Sequence, residues 1–422
     1  MQEDFVQYIW RHQLFEHSNL KTTEGLPVQI ISSGILNEDE GPDFFSAKLK
    51  IDDQLWGGNV EIHLCGKEWY LHGHQKNSKY NNVILHVIWT KPVETRTKDN
   101  SIIPTIVLKN KVDTFYQKNY FKLIKRDLKK PCSGFDLNNL KLQINKEIER
   151  SVSSRIENKI TQLGLQTFTG NKPELFYRLI ISSFGFGNNS PALRLLAQLL
   201  PYSVFIKLNN SPLSLESIIY GVSGFLNDEF TQPYQKKLKE EWHFLRNKYQ
   251  LSSIPTEIWK FSKLRPYNSP YIRLAQLTVT LSKFKSYFIF ANSHDKVFSI
   301  TNPINNYWAS HLNLTSKKKS LKTSELPSSL LTHLMINAVI PYRYLVAKDN
   351  SELFDLSTAF ENTSFEHNKY TRLFKFPIKK DSAFVSQGLL ELHHSKCVHK
   401  KCLNCAIGAH LIKKGNVSVP PI

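Results

Sequence analysis

The chain has 422 residues, 41% hydrophobic and 12% aromatic, enough apolar material for two or three domains. Its 55 Lys+Arg against 36 Asp+Glu leave a formal charge of +19, which favours a polyanionic partner, nucleic acid ahead of an anionic membrane surface. The acidic start Met1-Gln2-Glu3-Asp4 is unlike a secretory signal, no run nears the ~18 apolar residues of a span, and five cysteines are too few for a disulfide scaffold, so a cytoplasmic chain is expected.

Taken in order, the first ~110 residues predict mixed α/β structure. Phe5, Val6, Ile9, Trp10 and Leu14 have helical spacing over 4–15. Strands are predicted at Pro27–Ile31, at Phe44–Ile51 by its apolar alternation, and at Leu55–Leu64, where Gly57-Gly58 suggests a bulge or a close backbone approach. A short helix at Glu68–His74 precedes Val83–Thr90, a continuous β-branched and aromatic run that reads as a buried strand, and Ile102–Leu108 reads as one more strand. The expected fold is α+β: an α-β-β-β-α-β core over 1–135, a mostly helical domain over 136–385, and a cysteine-bearing segment, 386–422, packing back on the N-terminal region.

In the helical part the patterns Leu142–Leu165, Pro173–Phe184 and Gln232–Tyr249 stand out, with a further helix over Ala383–Leu392. Asn189-Ser190-Pro191-Ala192-Leu193-Arg194 is echoed by Asn268-Ser269-Pro270-Tyr271-Ile272-Arg273. Either a helical unit is duplicated, or similar caps with proline in the first turn recur independently. Asn313–Pro327, with the run Lys317-Lys318-Lys319, reads as an exposed loop.

Three chemical groups fall together in the α/β part. Pro42-Asp43 opens the second predicted strand, and Glu61-Ile62-His63 lies on the third, where alternation sets Glu61 and His63 on one face. If those strands pair, Asp43 lies beside Glu61, and two adjacent carboxylates suit a hard divalent cation. This arrangement resembles the PD-(D/E)xK nuclease superfamily, with its restriction-endonuclease-like α-β-β-β-α-β core. The resemblance implies Asp43 and Glu61 as ligands of a catalytic Mg²⁺ or Mn²⁺, Glu3 (less readily Asp4) as an accessory acid, and His63 where the superfamily has a lysine. Neutral histidine can accept a proton or ligate a metal, but it lacks a fixed positive charge. His63, His72, His74 and His86 also crowd a short stretch, and a His/carboxylate metal hydrolase of another substrate is the runner-up for this domain. Gly-rich phosphate loops, a Ser nucleophile elbow and a His-Glu-x-x-His motif are absent from the sequence.

At the far end, Cys397, Cys402 and Cys405 form C-x4-C-x2-C, a spacing suited to Zn²⁺ or an iron–sulfur cluster with Cys132 as the first candidate for a fourth, structural ligand. One cysteine near a nuclease-like region and three at the C-terminus resemble the iron-staple branch of that superfamily, which implies a [4Fe–4S] cluster; the differing spacing favours Zn²⁺. Gly41–Phe44, Gly58–His63 and Cys402–Gly408 resemble a bacterial family, the domain-of-unknown-function 2851 family, over essentially the full length.

Basic residues recur beside aromatics, and Lys260, Arg265 and Arg273 are the candidate nucleic-acid contacts. Two readings follow. In one, the protein is a metal-dependent nuclease hydrolysing phosphodiester bonds of DNA (or RNA) with metal-activated water. In the other, it is a non-catalytic, metal-stapled nucleic-acid-binding or assembly protein on a degenerate nuclease fold. His63 is the residue that separates them.

Overall fold

The computed structural model describes residues 2–125, 132, 135–162, 164, 170–185, 188–208, 210–262, 264, 268–293, 305–315, 328–360 and 363–414. Arg265 and most of the lysine-bearing loop after Asn313 lie outside the described residues. The chain divides into two compact units. One comprises Met1–Ile148, Lys369–Ile378 and Leu390–Ile422; the other comprises Glu149–Asn368 and Lys379–Leu389. The boundary therefore falls inside the helix Lys141–Gln162 rather than at 135/136.

The first unit begins with helix α1 (Glu3–Arg11). Phe5, Val6, Ile9 and Trp10 are all fully buried, each contributing about 1.5–3 kcal/mol. Glu3 and Asp4 in its first turn and Arg11 in its last have the signs that the helix dipole favours. Strands follow: β1 (Val28–Ser32), β2 (Ile35–Leu36), β3 (Phe44–Ile51), β4 (Gln54–Cys65), β5 (Val83–Thr90), β6 (Thr95–Arg96), β7 (Ile102–Ile103) and β8 (Thr105–Val107), six of which form the main sheet. Its order is β1-β3-β4-β5-β8, with β2 also on β3, while β6 and β7 form a separate ribbon. The pairs β1/β3 and β3/β4 are antiparallel, and β4/β5 and β5/β8 are parallel. Every residue of β5 but the last is buried, as its unbroken apolar run predicts.

Two details differ from the sequence reading. The single strand expected at Ile102–Leu108 is two strands in different sheets, split at Pro104, which has no N–H to continue a ladder. The close approach expected at Gly57-Gly58 belongs to Gly58 alone, where a Cβ would stand 2.5 Å from Ile84 Cγ2 and 2.7 Å from the Asn82 carbonyl.

The crossover from β4 to β5 carries helix α2 (Glu68–Leu71) and two 3₁₀ turns, His74–Lys76 and Ser78–Tyr80. Glu68 fixes its start by accepting from the Leu64 and Cys65 N–H groups at 2.7 and 3.0 Å. Gly73, at φ 74°, supplies the left-handed residue that lets the chain reverse between helix and turn. Helix α3 (Thr114–Ile124) is capped by Asp113, which accepts from Phe115 N–H at 2.8 Å. The C-terminal helix Ala406–Lys414 joins this unit: Tyr8 donates its hydroxyl to the Ala409 carbonyl at 3.0 Å, and Asn119 its amide to the Ile412 carbonyl at 3.3 Å.

The second unit is helical. Lys172–Ser183, Pro212–Val222, Pro233–Tyr249 and Pro270–Ser282 each carry proline in the first turn, where its missing N–H has no helical partner to lose. The two echoed segments both begin helices, Ser190–Leu199 and Pro270–Ser282, but neither Asn189 nor Ser269 caps through its side chain. Asn189 instead bonds the Lys260 backbone, accepting at 2.8 Å and donating at 3.1 Å. The stretch Leu330–Asp349 is 20 residues of composition apolar enough to cross a membrane. Of its apolar window 56% is buried, in keeping with a core helix that packs on Lys172–Ser183.

Candidate functional site

Strand register brings the two carboxylates together. Phe44 pairs with Val60, so Asp43, one residue before β3, stands opposite Glu61. The ladder then shifts between Phe44 and Ala47, with Ser46 left-handed at φ 56°, and this bulge bends β3 immediately beyond Asp43. The acids are locked reciprocally. Asp43 N–H donates to Glu61 Oε2 at 3.0 Å, and Ile62 N–H donates to Asp43 Oδ2 at 2.9 Å. From α1, Gln7 donates to Asp43 Oδ1 at 2.9 Å.

The electrostatics of this group are those of acids that crowd one another. Burial first, then Glu61, pushes Asp43 up to about 7. Glu61 is pushed up to about 8 by burial. Glu3 also rises to about 8, through burial and then the fields of Asp43, Glu61, Glu68 and Asp4, which sets it in the same cluster. Asp4 is turned elsewhere and accepts from the Tyr120 hydroxyl at 3.0 Å. Carboxyls that retain protons near neutrality have room for a cation to replace those protons, and the donor set Asp43, Glu61 and Glu3 is the oxygen-rich kind that Mg²⁺ or Mn²⁺ takes.

Four histidines adjoin the acids. His86 lies directly across from Glu61 on β5, and His63 is two residues further along β4, on the same face. His63 Nδ1 is 2.8 Å from His86 Nε2, and His86 Nδ1 is 3.0 Å from Thr95 Oγ1. His72 and His74, from the crossover, close over this face: His63 Nε2 is 3.2 Å from His72 Nδ1, and His74 Nε2 is 3.1 Å from Glu61 Oε1. Trp69 and Tyr80 pack against the His74 ring, with centroids 5.2 and 3.9 Å away. Burial, followed by His86, His74 and His72, pushes His63 down to about 2, so it is a neutral ring. It therefore offers a lone pair and no positive charge. The sequence shows the density of histidines but not that His72 and His74 reach the acids, because that depends on the turn at Gly73.

The cysteines form a second gathering within the same unit. Burial pushes the Cys397 thiol up, and Cys405, Cys132, Cys402 and Glu147 push it further, which sets all four thiols in one neighbourhood. Cys405, at the mouth of the helix Ala406–Lys414, is pushed up to about 12 by burial and Glu147, against the opposing N–H groups of Gly408 and Ile407 and the charge of Lys396. Lys396 is held by Glu147, which also accepts from Ala406 N–H at 2.7 Å. Four thiols brought together, with Cys397 and Cys405 kept protonated by burial until a cation displaces their protons, are the donor set that a Zn²⁺ ion or an iron–sulfur cluster takes.

The residues expected to touch nucleic acid are placed differently from one another. Lys260 is exposed. Arg273 is half-buried, with its guanidinium donating to Asn268 and to Gln276, and burial lowers it to about 10. That orientation turns it away from a surface phosphate. Trp259, Tyr342 and Phe374, from the basic–aromatic clusters, are buried core rings rather than stacking platforms.

Neither the curated proteins nor the solved structures provide a match to this chain. The family profile described as "Protein of unknown function (DUF2851)" matches residues 3–369, and the chain belongs to that family.

Proposed function

We propose that the protein is a metal-dependent phosphodiester hydrolase acting on DNA (or RNA), with Asp43, Glu61 and Glu3 as the acidic centre. One observation carries the reading: Asp43 and Glu61, distant in sequence, each accept a backbone N–H from the opposite strand, Glu61 from Asp43 and Asp43 from Ile62, with Glu3 beside them. The sheet supports it as well, since an antiparallel three-strand meander, a crossover and a parallel fourth strand follow the order of the PD-(D/E)xK superfamily. Asp43 and Glu61 would hold a Mg²⁺ or Mn²⁺ ion. When bound, that ion polarises a phosphoryl oxygen and lowers the pKa of the attacking water. Gln7 and the Ile62 N–H orient Asp43, and the Asp43 N–H orients Glu61, so both carboxylates are preorganised. His63, neutral and tied to His86, acts as a ligand or proton acceptor rather than as a cation. The four cysteines, on this reading, hold a structural Zn²⁺ or [4Fe–4S] group that fastens the C-terminal segment within the first unit.

The test is incubation of the full-length protein with labelled single- and double-stranded DNA and RNA in Mg²⁺ or Mn²⁺. Cleavage that disappears in Asp43→Ala and in Glu61→Ala is the expected result. Salt-sensitive binding without cleavage under either metal establishes the non-catalytic reading instead, which the missing charge at His63 favours.

A further inference from the structure

We propose that His63, His72 and His74, together with Glu61 Oε1, form a nitrogen-rich site for one first-row transition-metal ion of the Zn²⁺ class. The site shares Glu61 with the oxygen-rich pair Asp43 and Glu61 but differs from it in its nitrogen donors, and its binding does not depend on phosphodiester cleavage.

The geometry comes first. One ligand atom from each of the three imidazoles lies within 4.8 Å of the other two. His63 Nε2 is 3.2 Å from His72 Nδ1 and 3.6 Å from Glu61 Oε1, and His74 Nε2 is 3.1 Å from the same oxygen. Ligands about 2.0–2.1 Å from a tetrahedral ion stand about 3.4 Å from each other, so these separations are the edges of a tetrahedron of that size.

Proton accounting then shows which atom His63 presents. Thr95 has one hydroxyl proton and donates it to the Val93 carbonyl at 3.1 Å. Its oxygen therefore accepts from His86 Nδ1–H at 3.0 Å. A neutral His86 then has a bare Nε2, which accepts from His63 Nδ1–H at 2.8 Å. His63 is left with its Nε2 lone pair aimed at His72 and Glu61. A relay of this kind, running from backbone carbonyl to hydroxyl to two rings, fixes the tautomer and orientation of a metal-ligating histidine.

His74 gives an independent sign. Its ring is buried under Tyr80, and Nε2 has no hydrogen-bond partner among the described residues, although Glu61 Oε1 is 3.1 Å away. A buried imidazole nitrogen facing a carboxylate oxygen without a bond is an unmet demand that an ion between them satisfies. His72 is exposed, so its ring can pass its Nδ1 proton to solvent, take the other tautomer, and give Nδ1 to the ion. Three imidazoles and one carboxylate select a borderline ion over Mg²⁺.

The experiment strips the full-length protein with chelator under reducing conditions and titrates it with Co²⁺, an optical stand-in for Zn²⁺. The expected result is one equivalent of Co²⁺ with visible d–d bands and no thiolate charge-transfer absorption, resistant to excess Mg²⁺ and displaced by Zn²⁺. His72→Ala, at an exposed position, is expected to weaken that equivalent about tenfold or more while leaving any thiolate-bound Co²⁺ and the circular dichroism unchanged. His74→Asn is expected to do the same. An unaltered titration in His72→Ala, or Co²⁺ found only with thiolate bands, overturns the proposal. If Co²⁺ binds this way while no nucleic acid is cut, the hydrolase reading fails and this site stands. If cleavage and the Co²⁺ titration both survive His72→Ala, the site fails and the hydrolase reading stands.

Discussion

The two units treat buried polar groups in opposite ways. In the helical unit, one buried network pairs donors with acceptors. Glu216 accepts from Trp308 Nε1 at 2.7 Å and from Asn305 Nδ2 at 3.2 Å, and Gln235 donates to the Tyr307 hydroxyl at 2.9 Å. In the sheet-bearing unit, like meets like: carboxyl beside carboxyl, imidazole beside imidazole, thiol beside thiol. The first pattern pairs opposite groups and serves stability. The second sets like groups against one another, an arrangement that a bound cation relieves on the proposed reading.

Substitutions can break or sharpen that contrast. The largest expected effect is at Cys397→Ser, which should lower the thermal midpoint of the first unit by more than 10 °C, about 3–5 kcal/mol, and chelation of wild type should do likewise. Unchanged calorimetric melts in both would show that the thiols are merely packed. Next, Glu216→Ala should cost about 1–3 kcal/mol by leaving Trp308 and Asn305 without their acceptor, and added metal should not alter that loss.

A smaller effect concerns pH. In chelator, the folded carboxyls of Glu3, Asp43 and Glu61 keep protons that the unfolded chain has already released, so stability should fall as pH rises from 6.5 toward 8. His63, His74 and His86 are neutral in the folded state across that window, while the unfolded rings shed their remaining protons just above 6.5 and offset part of the decline at its acid end. Below 6.5 they act with the opposite sign, because the unfolded rings take up protons that the buried ones refuse. Thermal melts across the range should show the alkaline decline, and added divalent cation should flatten it. Least of all, Gln7→Ala should cost below about 1.5 kcal/mol, since Asp43 keeps its bond from Ile62 N–H, with a few-fold weaker Mn²⁺ affinity by titration calorimetry.

Much of the sheet was legible in the sequence. Val83–Thr90 is a strand to the residue because its run is continuous and β-branched, and Phe44–Ile51 because its faces alternate. The meeting of Asp43 with Glu61 follows from pairing those alternating strands in register. What escaped was set by single backbone residues and by burial. Pro104 divides a strand that composition alone joins, and Gly73 reverses the chain so that His74 returns over Glu61. At Arg273, the juxtaposition with aromatics carries no sign of which helix face turns inward, and its neighbours Ile272 and Leu274 are fully buried.

The uneven depth of the four rings has a kinetic consequence. His63, His74 and His86 are enclosed, but His72 stands in solvent, so an ion at the proposed imidazole site would enter and leave past that ring. Of the thiols, Cys405 is buried and Cys132, Cys397 and Cys402 are half-buried, so none stands in solvent as His72 does. If both sites hold metal as proposed, dialysis should empty the imidazoles, open at His72, sooner than the sulfurs.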